Sequence, residues 1–156
     1  MRVQLALYKG RGLVGNAAIR WWTGSNYSHC ELVIDGHCYS SSVMDGGVRR
    51  KQVGPGDHQI SLGEDWDLLD LPWANAADIL AYFLRTDGDT YGWSGLLVSQ
   101  VLNRNRATLH AQFCSEWCAR ALSLPSPSSY SPGTLGELCA YLLGVSHAPG
   151  SALLAT

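Results

Sequence analysis

The dipeptide Asp35-Gly36 constrains the fold more than any other feature of this 156-residue sequence. It separates residues 28–34 (SHCELVI) from residues 37–42 (HCYSSS), and both runs have the composition of strands. Asp-Gly between two such runs is typical of a two-residue β-hairpin, because both turn positions require a positive φ. This geometry predicts an antiparallel pair in which Glu31 lies opposite Ser40.

The remaining elements are predicted from periodicity and from breaks at glycine and proline. Cys114 is expected to be the first residue of a helix, and Thr134 is expected to cap another helix through a capping box with Glu137. Strands early and helices mostly later indicate an α+β fold, a small antiparallel sheet packed against helices. Residues 1–146 are expected to form one domain, and residues 147–156 a flexible tail. The predicted strands are 3–8, 28–34, 37–42, 48–53 and 67–71, and the predicted helices are 16–23, 74–85, 93–102, 114–122 and 134–143.

Composition narrows the classes of partner. Hydrophobic residues make up 46% of the chain and charged residues 15%, as in a well-buried globular domain. The net charge of −2 gives no bulk attraction to nucleic acid or to an anionic membrane. The longest basic run, Arg49-Arg50-Lys51, is interpreted as a solvated strand face. With no apolar run long enough for an integral membrane segment and no signal-peptide pattern, we expect a cytoplasmic protein, and the oligomeric state stays open.

The number of cysteines bears on the chemistry that is open to their thiols. The sequence has five cysteines, and an odd number without an export signal argues against a disulfide framework. Thiol chemistry, metal binding and plain burial remain open for each of them. They are Cys30, Cys38, Cys114, Cys118 and Cys139.

Cys114 and His29 are the candidates for nucleophilic chemistry. A cysteine in the first turn of a helix lies beside unpaired N–H groups at the positive end of the helix dipole. Both effects favour the thiolate, and the same N–H groups can stabilise an oxyanion. His29 begins a strand, and Glu31 leaves the same face two residues later, where its carboxylate can orient the imidazole. The pattern predicts a Cys–His site.

Two segments resemble a known family. The segments "YSHCELVIDGHCY" and "FCSEWCARAL" resemble the motifs of the permuted NlpC-type papain-like cysteine peptidases and amidases, the YiiX/YaeF-like group. In that group the histidine precedes the cysteine, and a later helix opens with a "CSE" motif. "AIRWWTGSNYSH" and "YGWSGLL" resemble further pieces of the family, so the resemblance covers residues 16–53 and 91–122.

The resemblance implies an activity and the residues that carry it. Cys114 matches the nucleophile and His29 the base of a hydrolase or acyltransferase that needs no cofactor and no metal. Substrates in this broad family include cell-wall peptides and lipid amides or esters, so a small-molecule, lipid or peptide substrate is expected. Many relatives carry a carboxylate on the strand after the histidine, where this chain has Tyr39, Ser40 and Ser41. Glu31 is therefore expected to orient the imidazole, with Ser40 as a possible third polar residue.

Two other classes of protein stay open. The missing family carboxylate suits a non-catalytic relative that binds a partner or has a structural role. The pairs His29-Cys30 and His37-Cys38, together with Cys114 and Cys118 one helical turn apart, have zinc-type ligands. Their spacing suits zinc poorly, because adjacent strand residues point to opposite faces and no CxxC pair occurs.

Overall fold

The fold is described from a computed structural model of the chain. The structure describes residues 1–10, 25–42, 45–56, 59–89 and 106–146, with the side chains of 106–113 and 145–146 excepted. The helices predicted over 16–23 and 93–102 and the tail predicted over 147–156 lie outside the described residues. The described part has the predicted α+β class, with a five-stranded antiparallel sheet and three α-helices.

The sheet has the strand order β4-β3-β2-β1-β5. The Asp35-Gly36 hairpin is confirmed: both residues have positive φ, 46° and 75°, and Ile34 pairs with His37 across the turn. The strands β2 and β3 that flank the turn occupy the two runs from which the hairpin was predicted. The five strands are β1 (Val3–Tyr8), β2 (His29–Ile34), β3 (His37–Ser42), β4 (Gly47–Gln52) and β5 (Trp66–Asp70).

The two faces of the sheet have different partners. The side chains of Leu5, Cys30 and Leu32 lie on the face that forms the main core with the helices. The opposite face, which carries Ala6 and Cys38, has a smaller apolar cluster. Because side chains alternate along a strand, β2 places Cys30 on the helical face and Glu31 on the other.

The first two helices, α1 (Ala76–Thr86) and α2 (Arg106–Ala121), support the helical face of the sheet. Asn75 caps α1, with its side-chain oxygen accepting from the N–H of Ala77 at 2.9 Å. α2 packs on β2 and β3. Its fully buried Trp117 donates through Nε1 to the hydroxyl of Thr86 at 3.1 Å, which joins the two helices.

The third helix, α3 (Pro132–Ser146), packs against β1 and β5. The capping box predicted at Thr134 and Glu137 is wrong, because the helix begins two residues earlier. The Ser131 hydroxyl accepts from the N–H of Thr134, and the Thr134 hydroxyl accepts from the N–H of Ser131. Gly136 permits the close approach to β1, since a Cβ there would lie 2.6 Å from Leu7 Cδ1.

None of the described helices combines the length and the apolar character that a membrane crossing requires.

Candidate active site

His29 and Glu31 lie side by side at the start of β2. His29 Nε2 is 3.0 Å from Glu31 Oε1, as expected for residues two apart on one strand face. The side chain of Glu31 is only 1% exposed, whereas that of His29 is 23% exposed. The ring of Trp66 packs edge-on against the imidazole, with the ring centroids 6.3 Å apart. The predicted contact between the imidazole and the carboxylate is therefore present, and a buried carboxylate holds one ring nitrogen.

Arg49 of β4 balances the buried charge of Glu31. Its Nη1 and Nη2 donate to the two carboxylate oxygens at 2.9 and 2.6 Å, and its Nε donates to Asp45 at 2.8 Å. Burial acts to raise the pKa of Glu31, but the hydrogen bonds and charges of His29 and Arg49 outweigh it, and the pKa is lowered. Glu31 is therefore a carboxylate at neutral pH.

Ser40 separates the two members of this ion pair. It pairs with Arg49 across β3 and β4, and it lies one position beyond the Leu32–Tyr39 pair, on the face of Glu31. Its small side chain leaves room for the arginine to reach the carboxylate across β3. The Ser40 hydroxyl donates to the carbonyl of Cys30 at 2.9 Å. None of the described contacts joins it to His29, so Glu31 rather than Ser40 orients the imidazole.

Cys114 meets His29 from the helical face of the sheet. It is fully buried and hydrogen-bonds to the imidazole. Glu31 occupies Nε2, which leaves Nδ1 as the ring nitrogen available to the sulfur. The imidazole thus links a carboxylate on one face of the sheet to a thiol on the other.

The predicted helix position of Cys114 is wrong. α2 begins at Arg106, so Cys114 is its ninth residue and not its first. Residues 107–113 contain no glycine or proline, and nothing in that run stops a helix. The N–H of an interior helical residue is already paired, and the dipole effect fades beyond the first turn. Cys114 therefore gains neither the predicted oxyanion donor nor the predicted dipole.

Neighbouring side chains stabilise the thiolate instead. Burial acts to raise the pKa of Cys114, but hydrogen bonds from Cys30 and the charge and hydrogen bond of His29 bring it well below its usual range. Burial acts to lower the pKa of His29, and Cys114 and Glu31 together raise it to about 10. Each group therefore favours the charged form of the other, a thiolate beside an imidazolium.

Three of the other cysteines have pKa values above the usual range of a thiol. The Cys30 thiol hydrogen-bonds to Cys114 and Cys118, and burial and these neighbours raise its pKa well above the usual range. Burial raises the pKa of Cys38 and of Cys139 to about 12. Within the described ranges no group of three or more His, Cys, Asp or Glu side chains suits a metal ion. The pKa is thus raised at Cys30, Cys38 and Cys139 and lowered at Cys114.

Sequence reasoning missed two residues of this site. Arg49 is predicted from the sequence to belong to a solvated face, and for Cys30 the sequence leaves thiol chemistry, metal binding and plain burial open. The signal for Arg49 was present in the hairpin register, since Ser40 lies opposite Glu31 and a short β3–β4 turn sets Arg49 beside Ser40. A basic residue that pairs with Ser40 across the next strand lies within reach of the buried Glu31 carboxylate and is its natural partner. Nothing in the sequence indicated the contact between Cys30 and Cys114.

Fold and site together define an α+β protein with a chain of hydrogen bonds that runs from the exposed Asp45 through Arg49, Glu31 and His29 to the buried Cys114. No protein-family model, no curated protein and no solved structure matches this chain.

Proposed function

We propose that this protein is a cysteine-dependent hydrolase or acyltransferase, with Cys114 as the nucleophile, His29 as the proton carrier and Glu31 as the residue that orients the imidazole. One observation carries the proposal: a single imidazole is shared between a buried carboxylate and a cysteine whose pKa is lowered. This is the arrangement that cysteine acyl transfer requires, because the thiolate attacks and the imidazolium supplies a proton to the leaving group.

The reaction runs in two steps. The Cys114 sulfur bonds to the carbonyl carbon of an amide or ester, and the bond to the amine or alcohol breaks as His29 donates its proton to that group. Water then loses a proton to His29 and attacks the thioester, which releases the acid and restores the thiolate. Another amine or alcohol in place of water gives acyl transfer. Glu31 and Arg49 keep the imidazole in one orientation through both steps.

We place the substrate in a groove that lies one strand away from the site and whose lining includes none of Cys114, His29 and Glu31. This groove of about 370 Å³ runs between β5 and α3, and it includes Tyr27 and Leu7 in its lining. Leu7 pairs with Cys30 across β1 and β2, so the groove begins one strand away from the nucleophile's neighbour. Its mixed lining suits the peptide, amide or lipid-ester substrates of a papain-like enzyme of the permuted NlpC type. That family assignment rests on the two sequence motifs and on the contact between His29 and Cys114.

A binding or structural protein with an inactive site is the second candidate function. The observation that favours it is the complete burial of Cys114, since a nucleophile must be reached by its substrate. The imidazole edge of His29 is the exposed part of the pair. A thiol that is charged yet reacts with no electrophile supports this second candidate.

Alkylation by iodoacetamide, followed against pH with the modified residue identified by peptide mapping, tests the pair. We expect Cys114 to react below neutral pH, and Cys30, Cys38 and Cys139, whose pKa values are raised, only above pH 8, since a thiolate is the reactive form. His29→Ala should slow the reaction at pH 6 by about 100-fold or more, because loss of a neighbouring cation shifts a cysteine pKa by several units. His37→Ala, which changes an imidazole at the far end of the β2–β3 hairpin, should leave the profile unchanged. Slow reaction of all five thiols would contradict the proposal.

A further inference from the structure

Three cysteines meet where α2 packs on β2. Cys30 lies on the helical face of β2, and Cys114 and Cys118 lie one turn apart on α2. All three are 0% exposed. The Cys30 thiol hydrogen-bonds to the side chains of both Cys114 and Cys118, and Cys118 Sγ lies 3.9 Å from the Cys30 carbonyl oxygen. The fold therefore holds the sulfur of the candidate nucleophile in contact with a second sulfur from another element.

Backbone geometry decides which neighbouring sulfur can bond to Cys114. A disulfide requires about 3.5–4.5 Å between the two Cβ atoms. Residues four apart on a helix keep their Cβ atoms about 5–6 Å apart, so Cys118 is held too far from Cys114 within α2. Cys30 belongs to a strand on which α2 packs, and its side chain contacts that of Cys114 directly. Cys30 is therefore the partner that the fold offers to Cys114.

The two thiols of this pair differ in reactivity. The pKa of Cys114 is lowered, whereas that of Cys30 is raised. Peroxides oxidise the thiolate, so Cys114 reacts first while Cys30 keeps its proton. The product is a sulfenic acid, which condenses with a thiol in contact with it and so avoids further, irreversible oxidation. Cys30 is placed to be that second thiol.

The burial of the pair restricts which oxidant can reach it. Both sulfurs are closed to bulk solvent, so an oxidant enters only during local openings of the structure. Hydrogen peroxide is close to water in size, whereas a disulfide such as oxidised glutathione requires a much larger opening. Hydrogen peroxide is therefore the oxidant expected at this pair.

We propose that Cys30 and Cys114 form a peroxide-sensitive pair, in which hydrogen peroxide oxidises Cys114 and Cys30 then closes a disulfide with it. In the first step the Cys114 sulfur bonds to one peroxide oxygen, the O–O bond breaks, and the proton of His29 leaves with the second oxygen as water. In the second step the Cys30 sulfur bonds to the Cys114 sulfur, the S–O bond breaks, and the hydroxyl group leaves with the Cys30 proton as water. The two sulfurs together lose two electrons, and the peroxide gains them.

The consequence for activity rests on the proposed function. A Cys114 sulfur within a disulfide cannot attack a carbonyl, so the disulfide switches off acyl transfer until a thiol reductant opens it. The formation of the disulfide itself requires only the thiolate and the thiol beside it.

Mass spectrometry of the peroxide-treated chain locates the bond. The remaining thiols are blocked in denaturant, and the chain is cleaved after arginine, lysine and glutamate. Cleavage after Glu31 and Glu116 leaves each cysteine of the pair on a peptide that contains no other cysteine. We expect the peptides 21–31 and 107–116 to be joined, and two fewer thiols than the five of the reduced chain. Dithiothreitol should separate the two peptides.

Three variants test the roles of the thiols. In Cys30→Ala the sulfenic acid lacks its partner, so Cys114 should proceed to the sulfinic acid, which dithiothreitol does not reverse. Cys118→Ala should still form the bond between Cys30 and Cys114. Cys139→Ala is the matched control, since it changes a buried cysteine of α3, and it should behave as the wild type.

Acylation by 4-nitrophenyl acetate in a single turnover measures the effect on activity. In the wild type the fraction of acylation lost after peroxide should equal the fraction of chain with the disulfide, and dithiothreitol should restore it. In Cys30→Ala the loss should persist after dithiothreitol. Each variant is compared with its own reduced sample, because Cys30 also affects the pKa of Cys114.

Three results for the wild type would overturn the pair: a sulfinic acid at Cys114 with Cys30 unmodified, five thiols that remain unreacted, or a bond from Cys114 to Cys118. The proposed function stands in each case if the reduced chain is acylated at Cys114. A disulfide between Cys30 and Cys114 in a chain whose reduced form is never acylated would support the pair and contradict the proposed function.

Discussion

Two arginine–carboxylate pairs of the sheet share their bonding pattern and differ in their surroundings. Arg49 donates through two nitrogens to both oxygens of Glu31, and Arg2 does the same to Asp70. The side chains of the first pair are 14% and 1% exposed, and those of the second are 69% and 48% exposed. The exposed pair joins β1 to β5, whereas the buried pair also contacts His29 and so reaches Cys114.

The difference shows which pair the fold depends on. Water screens the exposed pair, and exposed ion pairs contribute little to stability. In the buried pair each charge has lost most of its water, so removal of one partner leaves the other buried with weaker compensation, from His29 for Glu31 and from Asp45 for Arg49. The stability of the buried Glu31 carboxylate therefore depends on Arg49, which lies two strands away. The carboxylate in turn contacts the imidazole of His29.

The largest effect is expected from Arg49→Ala. It leaves the buried Glu31 carboxylate with His29 as its remaining charged partner among the described contacts, and breaking a buried ion pair costs about 3–5 kcal/mol. Urea unfolding at pH 7 measures the loss. Arg2→Ala is the matched control and should leave the unfolding midpoint where it is. Equal midpoints for the two variants would show that the burial of the Glu31–Arg49 pair has no energetic consequence.

A smaller effect is expected on the pKa of the Cys114 thiol in the variant Glu31→Gln. The amide keeps an oxygen beside His29 Nε2 but removes the charge, so the pKa of His29 should fall from about 10 toward its ordinary value. A weaker imidazolium stabilises the thiolate less, and one unit of pKa corresponds to about 1.4 kcal/mol, or tenfold in the thiolate population. We expect the pH midpoint of Cys114 alkylation to rise by about one unit. Asp70→Asn is the control, and a midpoint that is the same in Glu31→Gln would contradict the role of Glu31.

The smallest effect is expected on the unfolding free energy at acidic pH. The pKa of Glu31 is lower in the folded chain than its ordinary value of 4.5, despite the opposing effect of burial, because His29 and Arg49 favour the carboxylate. The unfolded chain therefore binds more protons, and the stability that Glu31 contributes is present above pH 4.5 and lost as the pH falls through the folded-state pKa. The difference in unfolding free energy between the wild type and Glu31→Gln should shrink between pH 5 and pH 3. A difference that is constant over this range would mean that Glu31 does not titrate as a paired carboxylate.

Much of the sheet could be predicted from the sequence. The Asp35-Gly36 turn, the strand over residues 3–8 and the placement of Glu31 beside His29 follow from turn conformation and from the period of two along a strand. The helix boundaries were harder. α2 begins eight residues before the predicted boundary at Cys114, because the sequence before the cysteine contains no residue that stops a helix.

The sequence by itself determined the pairing of His29 with Glu31 and pointed to Cys114 as the candidate for the proposed chemistry, because residue type and strand alternation are local properties. Only the tertiary structure decided that the helix dipole does not act on Cys114, that Arg49 neutralises Glu31, and that Cys30 and His29 lower the pKa of Cys114. Each of these depends on which elements pack together, and packing brings into contact residues whose separation along the chain carries no local signal.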